Sequence, residues 1–393
     1  MNSSSSLPEL TIGNKSTFPI IQWWMGVWIS NWRLAWTVAK EWAVWTLSSV
    51  GHSVTPAYKP LFNALIKEKK AYFGWKIPEH EFERIFYDAN IAAIYEEVKK
   101  AKEVAQGNWA LWINVMVAVN DYTRQVLAAC DAWVDGIVSG AGLPLNLPEI
   151  TKEYPNVSLI PILSNLKGVR ILLKKWERLG RIPNAIILED PSRAGGHLWS
   201  ASVNNVDNSD TTLEVAVPEV IEFLNKEWLH VPVIAAGWIV SRDDMNRVLN
   251  LGASWVQMGT RFLATHESWA SDDFKNAILH ANEKDITIYT SNALLPARAI
   301  ATSGIFHMIE WRVAETRKCI ENCLIHCWYR DWIGELKGSG DTPAQMCILH
   351  ALARGTEWNR PHAKSEALYF TGVSALKIST LKSVKEIIEE LTY

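Results

Sequence analysis

Cysteine is scarce, with five residues in 393. That is too few for a disulfide-stapled secreted scaffold, and a reducing cytoplasm is the expected compartment. No long run carries one charge sign, and the net charge is −3. Neither a nucleic-acid footprint nor an anionic-membrane partner fits that balance. The only long apolar stretch is broken by Gln22, Asn31 and Arg33, well short of the roughly eighteen uninterrupted residues a transmembrane helix needs. The opening "MNSSSSLPELTIGNKS" lacks the basic start and apolar core of a signal peptide. Residues 1–17 are therefore expected to form a flexible tail. Glycine is also short. Average usage gives about 28 in a chain of this length, whereas this one has 21, matched by 21 tryptophans.

The remaining composition, 48% hydrophobic and 21% charged, is that of a soluble globular protein. Eight short apolar, β-branched runs read as strands: Pro19–Gln22, Val44–Val50, Leu111–Val117, Gly136–Ser139, Leu159–Leu163, Ala185–Glu189, Val231–Ala236 and Trp255–Met258. Amphipathic segments such as "GVRILLKKWERLG", "VPEVIEFLNKE" and "SRDDMNRVLNLG" separate most of them. Buried parallel strands read as continuous apolar runs, and eight βα units match a (β/α)8 TIM barrel over residues 18–290. An open doubly wound sheet is the competing architecture. An insertion from Gly51 to Asn90 follows the second strand. A C-terminal helical extension over 291–393 is expected to pack on the barrel, with "TPAQMCILHALARG" and "SVKEIIEEL" as helices and Ser383 as an N-cap.

Barrel active sites lie at the C-terminal ends of the strands. After strand seven comes "AAGWIVSRDD" and after strand eight "QMGTRF". Gly237, Gly259 and Thr260 suit close backbone approach to a phosphate; Trp238 does not. After strand six, "LEDPSRAGGHLW" places Gly195 and Gly196 where a loop can pass beside a planar ligand, with His197 projecting from it. A histidine there is a candidate general base or hydrogen-bond donor, against the plainer reading of a solvent-facing loop histidine. "SGAGLP", after strand four, offers backbone amides to a flat ring but is also a common turn. In "CIENCLIHC", Cys319, Cys323 and Cys327 recur every four residues, with Cys347 beyond. On a helix the first three would share one face. Zinc or an iron–sulfur cluster competes with buried apolar cysteine, and the spacing fits no standard metal pattern. Cys130 reads as core.

The ordered set "PIIQWWMGV", "WINVMV", "GIVSGAGLP", "RAGGHLW", "VPVIAAGWI" and "WVQMGTRFLATHES" resembles the nitronate monooxygenase family, formerly 2-nitropropane dioxygenases. The flavin-dependent enoyl-acyl carrier protein reductases share that architecture. The resemblance implies a barrel that binds FMN, with Trp24 and Met25 at the ring edge and Asn114 bonding the ring or ribityl chain. An inward-facing Asn114 with internal partners is the rival reading. Gly140, Gly142, Gly195 and Gly196 would border the ring. Gly237, Trp238, Gly259 and Thr260, with Gln257 and Met258 in the same motif, would hold the phosphate. His197 is the implied catalytic residue, and a small molecule the implied partner; an oligomer stays open. Nitronate oxidation with dioxygen is the expected activity, and NAD(P)H-dependent enoyl reduction the alternative. "SGAGLP" lacks the histidine that nitronate enzymes carry in that loop, and Asp190 stands where the family has glycine.

The family's first element is usually IIQGGMG and its seventh strand ends AAGGI. Trp23, Trp24, Trp28, Trp36, Trp42, Trp45, Trp112, Trp199, Trp238, Trp255 and Trp269 fall where it has glycine. Trp176, in a helix, reads as a true tryptophan. The pattern is that of a gene whose UGA codons mean glycine, read with a table in which UGA means tryptophan. Literal tryptophans would instead suggest a Trp-rich binding or membrane-active surface, but Pro19–Gly51 has no clean apolar and basic faces.

Overall fold

The computed structural model describes residues 10–12, 15–74, 77–105, 110–302, 305, 319, 321–335, 347–356 and 367–393. Eight parallel strands form its centre: β1 (Ile20–Gln22), β2 (Trp45–Ser48), β3 (Leu111–Met116), β4 (Gly136–Gly140), β5 (Ser158–Leu163), β6 (Ile186–Glu189), β7 (Val233–Ala236) and β8 (Trp255–Met258). Each pairs with the next from β2 to β8, and β8 pairs with β1. The ring closes where Gln22 N–H donates to the Val44 carbonyl and Val44 N–H to Ile20, both at 2.9 Å. This is a (β/α)8 barrel rather than an open sheet. The eight strands are those expected from sequence, with ends shifted by a few residues. They are buried along almost their whole length, because side chains on one face fill the barrel and those on the other meet helices.

Helices separate the strands: α1 (Trp32–Lys40), α2 (Lys59–Phe73), α3 (Glu79–Ala105), α4 (Tyr122–Asp131), α5 (Leu147–Ile150), α6 (Leu166–Glu177), α7 (Leu213–Lys226) and α8 (Arg242–Asn250). Those packed directly on the barrel, such as α1, α4, α6, α7 and α8, are amphipathic, as the sequence pattern predicts. The insertion after β2 supplies α2 and much of α3. In α6, Val169, Leu172, Leu173 and Trp176 face inward. The Trp176 indole donates to the Pro144 carbonyl at 3.1 Å. Among the described residues no helix is long and apolar enough to cross a membrane.

The tail expectation needs correction. Leu10–Ile12 and Lys15–Thr17 pair as an antiparallel hairpin; residues 1–9 lie outside the described residues. The C-terminal extension carries the expected helices Ile348–Arg354 and Val384–Thr392, the second capped by Ser383. It also contributes strands. Pro296–Ile300 pairs with Ile286–Thr290, with Tyr369–Phe370 and with the two-residue strand Gly196–His197. The extension thereby grips the loop after β6.

One feature recurs at the helix ends. Helices α1, α4 and α7 finish in a Schellman motif whose left-handed residue is Trp42, Trp133 or Trp228, with φ of 62°, 69° and 57°. Trp42 N–H donates to Ala39 and Ala43 N–H to Val38; the same pair of bonds recurs at Trp133–Val134 and Trp228–Leu229. Helices α6 and α8 make the same two bonds with Gly180 and Gly252 in the left-handed position.

Candidate functional site

The loops after β1, β6, β7 and β8 converge on one cavity at the C-terminal end of the barrel. Of the residues expected there, Trp24, Met25, Gly195, Gly196, His197, Gly237, Trp238, Gln257, Met258, Gly259 and Thr260 line it together. Asn114, Gly140 and Gly142 lie outside that lining. Trp199 packs beside Gly140, its indole nitrogen 3.2 Å from where a Gly140 Cβ would sit.

Two glycines are forced by geometry. A Cβ on Gly195 would lie 2.2 Å from the Gly372 nitrogen, so only glycine lets the β6 loop touch the C-terminal strap. Gly237 sits at φ +117°, against the Asp190 side chain. Thr260 Oγ1 accepts from Gly372 N–H at 3.1 Å, which ties it to the C-terminal strap. Gly372 and Ser374 complete the wall. Nothing in the sequence pattern marks a segment more than a hundred residues downstream as part of the site.

The loop 190–194 is held by side chains the sequence reading passed over. Arg298, buried in the strand Pro296–Ile300, donates to the carbonyls of Pro191 at 3.0 Å and Ser192 at 2.9 Å, and also to Ala194. Asp190 accepts from Ser192 N–H at 2.9 Å and from its hydroxyl at 2.6 Å, forming an Asx turn. That accounts for an aspartate where the resemblance gave glycine.

Three polar groups define the cavity's chemistry. His197 Nε2 lies 3.1 Å from Ser291 Oγ, and burial lowers its pKa to about 4, so the imidazole is neutral at pH 7. Glu189, at the end of β6, was not singled out from sequence. Burial raises its pKa to about 8, opposed by the Trp199 N–H that donates to it at 3.3 Å. Gln257 is 1% exposed, and both its amide atoms lack a partner. Asn114, deeper in the barrel, is equally buried and unpartnered, which disfavours the reading in which internal partners satisfy it. Orphaned buried amides are costly and point to a missing ligand or water.

The tryptophans sit badly in this site. Trp238, at φ 58°, lines the cavity at the expected phosphate position, under the Lys377 ammonium 4.2 Å from its ring. The buried indole nitrogens of Trp24, Trp45, Trp112, Trp199 and Trp269 have no partner. Trp28 is different: its indole donates to Glu97 at 3.2 Å, although its φ is 64°.

The cysteines come together but not as expected. Residues 321–327 form no helix, so Cys319, Cys323 and Cys327 do not share a helical face. The pKa of Cys323 is raised by burial and by the neighbouring Cys347, Cys327 and Cys319. All are free thiols. Among the described residues, no group of three or more potential ligands is arranged to hold a metal. Cys130 is buried.

Comparison with known proteins agrees with this architecture. FabK from Thermotoga maritima superposes with a TM-score of 0.63 at 21% identity, covering 95% of this chain and 91% of that one. Nitroalkane oxidase from Streptomyces ansochromogenes gives 0.60 at 17%, covering 95% and 94%. At these identities the likeness concerns the fold. A probable nitronate monooxygenase of Staphylococcus aureus is 32% identical over 251 residues, covering 56% of this chain and 68% of that protein. One from Bacillus subtilis is 36% identical over 29% of this chain and 31% of its own length. With several such relatives, including the one from Staphylococcus saprophyticus at 34%, the match spans about a third of their length. The model of the family described as nitronate monooxygenase matches residues 9–393. The chain belongs to the nitronate monooxygenase family.

Proposed function

We propose that the chain is an FMN-dependent oxidoreductase that oxidises alkyl nitronates with dioxygen. The observation that carries this reading is the cavity itself. It gathers the loops after β7 and β8, the glycine-rich loop after β6 and the unpartnered Gln257 amide at one barrel mouth. With glycine at residues 24 and 238, these residues would accommodate a flavin mononucleotide. The Gln257 and Asn114 amides would satisfy polar edges of the ring or ribityl chain, and Gly237 and Gly259 would let backbone approach the phosphate. FMN would supply the redox chemistry, taking electrons from the nitronate and passing them to dioxygen. His197, neutral and tethered to Ser291, would orient the anionic nitro group by hydrogen bonding. Met25, Val27 and Leu349 form an apolar wall that would keep water from the reacting atoms.

A second reading, NAD(P)H-dependent enoyl thioester reduction, draws support from one feature: the loop "SGAGLP" after β4 brings no histidine. Anaerobic absorbance of the flavin-loaded protein separates the two. Bleaching by an alkyl nitronate alone supports nitronate oxidation. Bleaching by NADH or NADPH, reversed by an enoyl thioester, moves the assignment to the reductase. A folded protein that binds no flavin overturns both.

The phosphate position requires glycine at residue 238, and we infer that the cell carrying this gene decodes most of these tryptophan codons as glycine. Among the described residues, eight non-glycine residues have positive φ, and five are tryptophan: Trp28, Trp42, Trp133, Trp228 and Trp238. A left-handed L-residue costs about 1–2 kcal/mol. Five such sites would consume much of a typical stability of about 5–15 kcal/mol. Glycine at 238 removes the strain and clears the indole from beside the Lys377 ammonium, which pairs with Asp244 at 2.6 Å. UGA codons at Trp228 and Trp238, with glycine in the corresponding peptide masses from the native cell, are the expected result. UGG codons there would sink the inference.

A further inference from the structure

We propose that Glu189 is the base that removes a proton from a neutral nitroalkane in this cavity. The proposal rests on the nitronate reading above. Nitronates are the conjugate bases of nitroalkanes, and a cavity holding a proton acceptor can make its own.

Glu189 is placed for the task. It ends β6 at the barrel mouth, lines the same cavity as His197 and Gln257, and is 2% exposed. Its register neighbour on β7 is Ala236, and β5 pairs with the same strand through Leu163 and Leu188; neither flanking strand carries a charged residue. The charged groups around it come from elsewhere. Asp190 follows it in the chain, with its carboxylate engaged by Ser192 and with Arg193 at 3.6 Å. Arg298 reaches across from the strand Pro296–Ile300, and its field opposes that of Asp190 at Glu189. The Trp199 N–H holds one carboxyl oxygen at 3.3 Å and so fixes the side chain's direction.

A general base works best with a pKa near the ambient pH. Burial lifts Glu189 to about 8, which leaves about a tenth of it ionised at pH 7 and makes that fraction strongly basic. His197, held near 4 by burial, is the poorer acceptor. Two groups pushed to opposite sides of neutrality divide the roles: His197 offers a hydrogen bond, and Glu189 takes the proton.

The step balances without an oxidant. The C–H bond next to the nitro group breaks, and its electron pair moves into the nitro group, giving the nitronate anion. The proton rests on the Glu189 carboxylate and later leaves to water. Once protonated, Glu189 is neutral, so the new anion meets no negative charge beside it.

Hydrogen–deuterium exchange tests the step apart from any oxidation. Nitroethane in deuterium oxide, held anaerobically with the protein and followed by NMR, should exchange its α-hydrogens faster than in buffer. The rate should rise with pH through about 8, and Glu189→Gln should lower it by about 10²-fold or more. Exchange no faster than in buffer, or unchanged by Glu189→Gln, overturns the proposal. The pH profile of the unsubstituted protein keeps the test open should Glu189→Gln fail to fold: a limb near 4 instead of 8 assigns the proton to His197 and also overturns it. Failure of the nitronate reading looks different, since exchange then persists while preformed ethylnitronate is not consumed in air.

Discussion

Five barrel helices end on the same two hydrogen bonds, yet two of them place glycine in the left-handed position and three place tryptophan. At Gly180 and Gly252 the geometry is free of strain, since glycine adopts positive φ readily. At Trp42, Trp133 and Trp228 the same geometry carries a bulky side chain that is 57%, 78% and 86% exposed. Large aromatic residues stabilise a fold by burial, and these obtain little of it. The helix ends therefore specify a glycine-like backbone that the written residue does not supply. Trp176 is the internal control: fully buried, on a helix, with its indole hydrogen-bonded. It behaves as tryptophans ordinarily do.

Substitutions at six positions test this difference. Trp176→Ala should have the largest effect, lowering stability by about 3–5 kcal/mol through the cavity it leaves; denaturant midpoints would measure it. Gly252→Trp comes next, at about 2–4 kcal/mol, because strain adds to overpacking. A Cβ there already meets Ile221 at 2.8 Å. Trp42→Gly, Trp133→Gly and Trp228→Gly should each raise stability by about 1 kcal/mol, and at well-separated sites the gains should add. Gly180→Trp should cost least, about 1 kcal/mol, since nothing lies within 4 Å of its Cβ position. If thermal or chemical unfolding shows the three Trp→Gly changes to be destabilising, the tryptophans are native residues with contacts that outweigh their strain.

The barrel was legible because strand burial is written as period-free apolar runs such as "LWINVM" and "AIILE". The helix Val384–Thr392 announced its start through Ser383, which forms a capping box with Glu386. The site was legible at the strand ends, where loop motifs hold most of the cavity lining. What stayed hidden depends on distant contacts. The strap Thr371–Ser374 reaches Gly195 only because Tyr369–Phe370 adds to the same sheet as Gly196–His197. Glu189 reads as one more residue at a strand end until burial and the Trp199 N–H set its proton affinity. Cys319, Cys323 and Cys327 misled by spacing, since a four-residue repeat implies a helical face only where a helix forms. Trp133 and Trp228 escaped the motif comparison because they lie at helix ends outside the family's loop motifs. Backbone φ found them.

The central claim is that this cavity is a flavin site whose phosphate position needs glycine. Titrating FMN into the chain as written and into the Trp24→Gly/Trp238→Gly double variant tests it most directly. The variant should bind near-stoichiometrically, with a perturbed flavin spectrum, and the written chain should show no measurable binding. Equal binding by both would show that Trp238 does not occupy the phosphate position. Failure of a folded double variant to bind would contradict the flavin site itself.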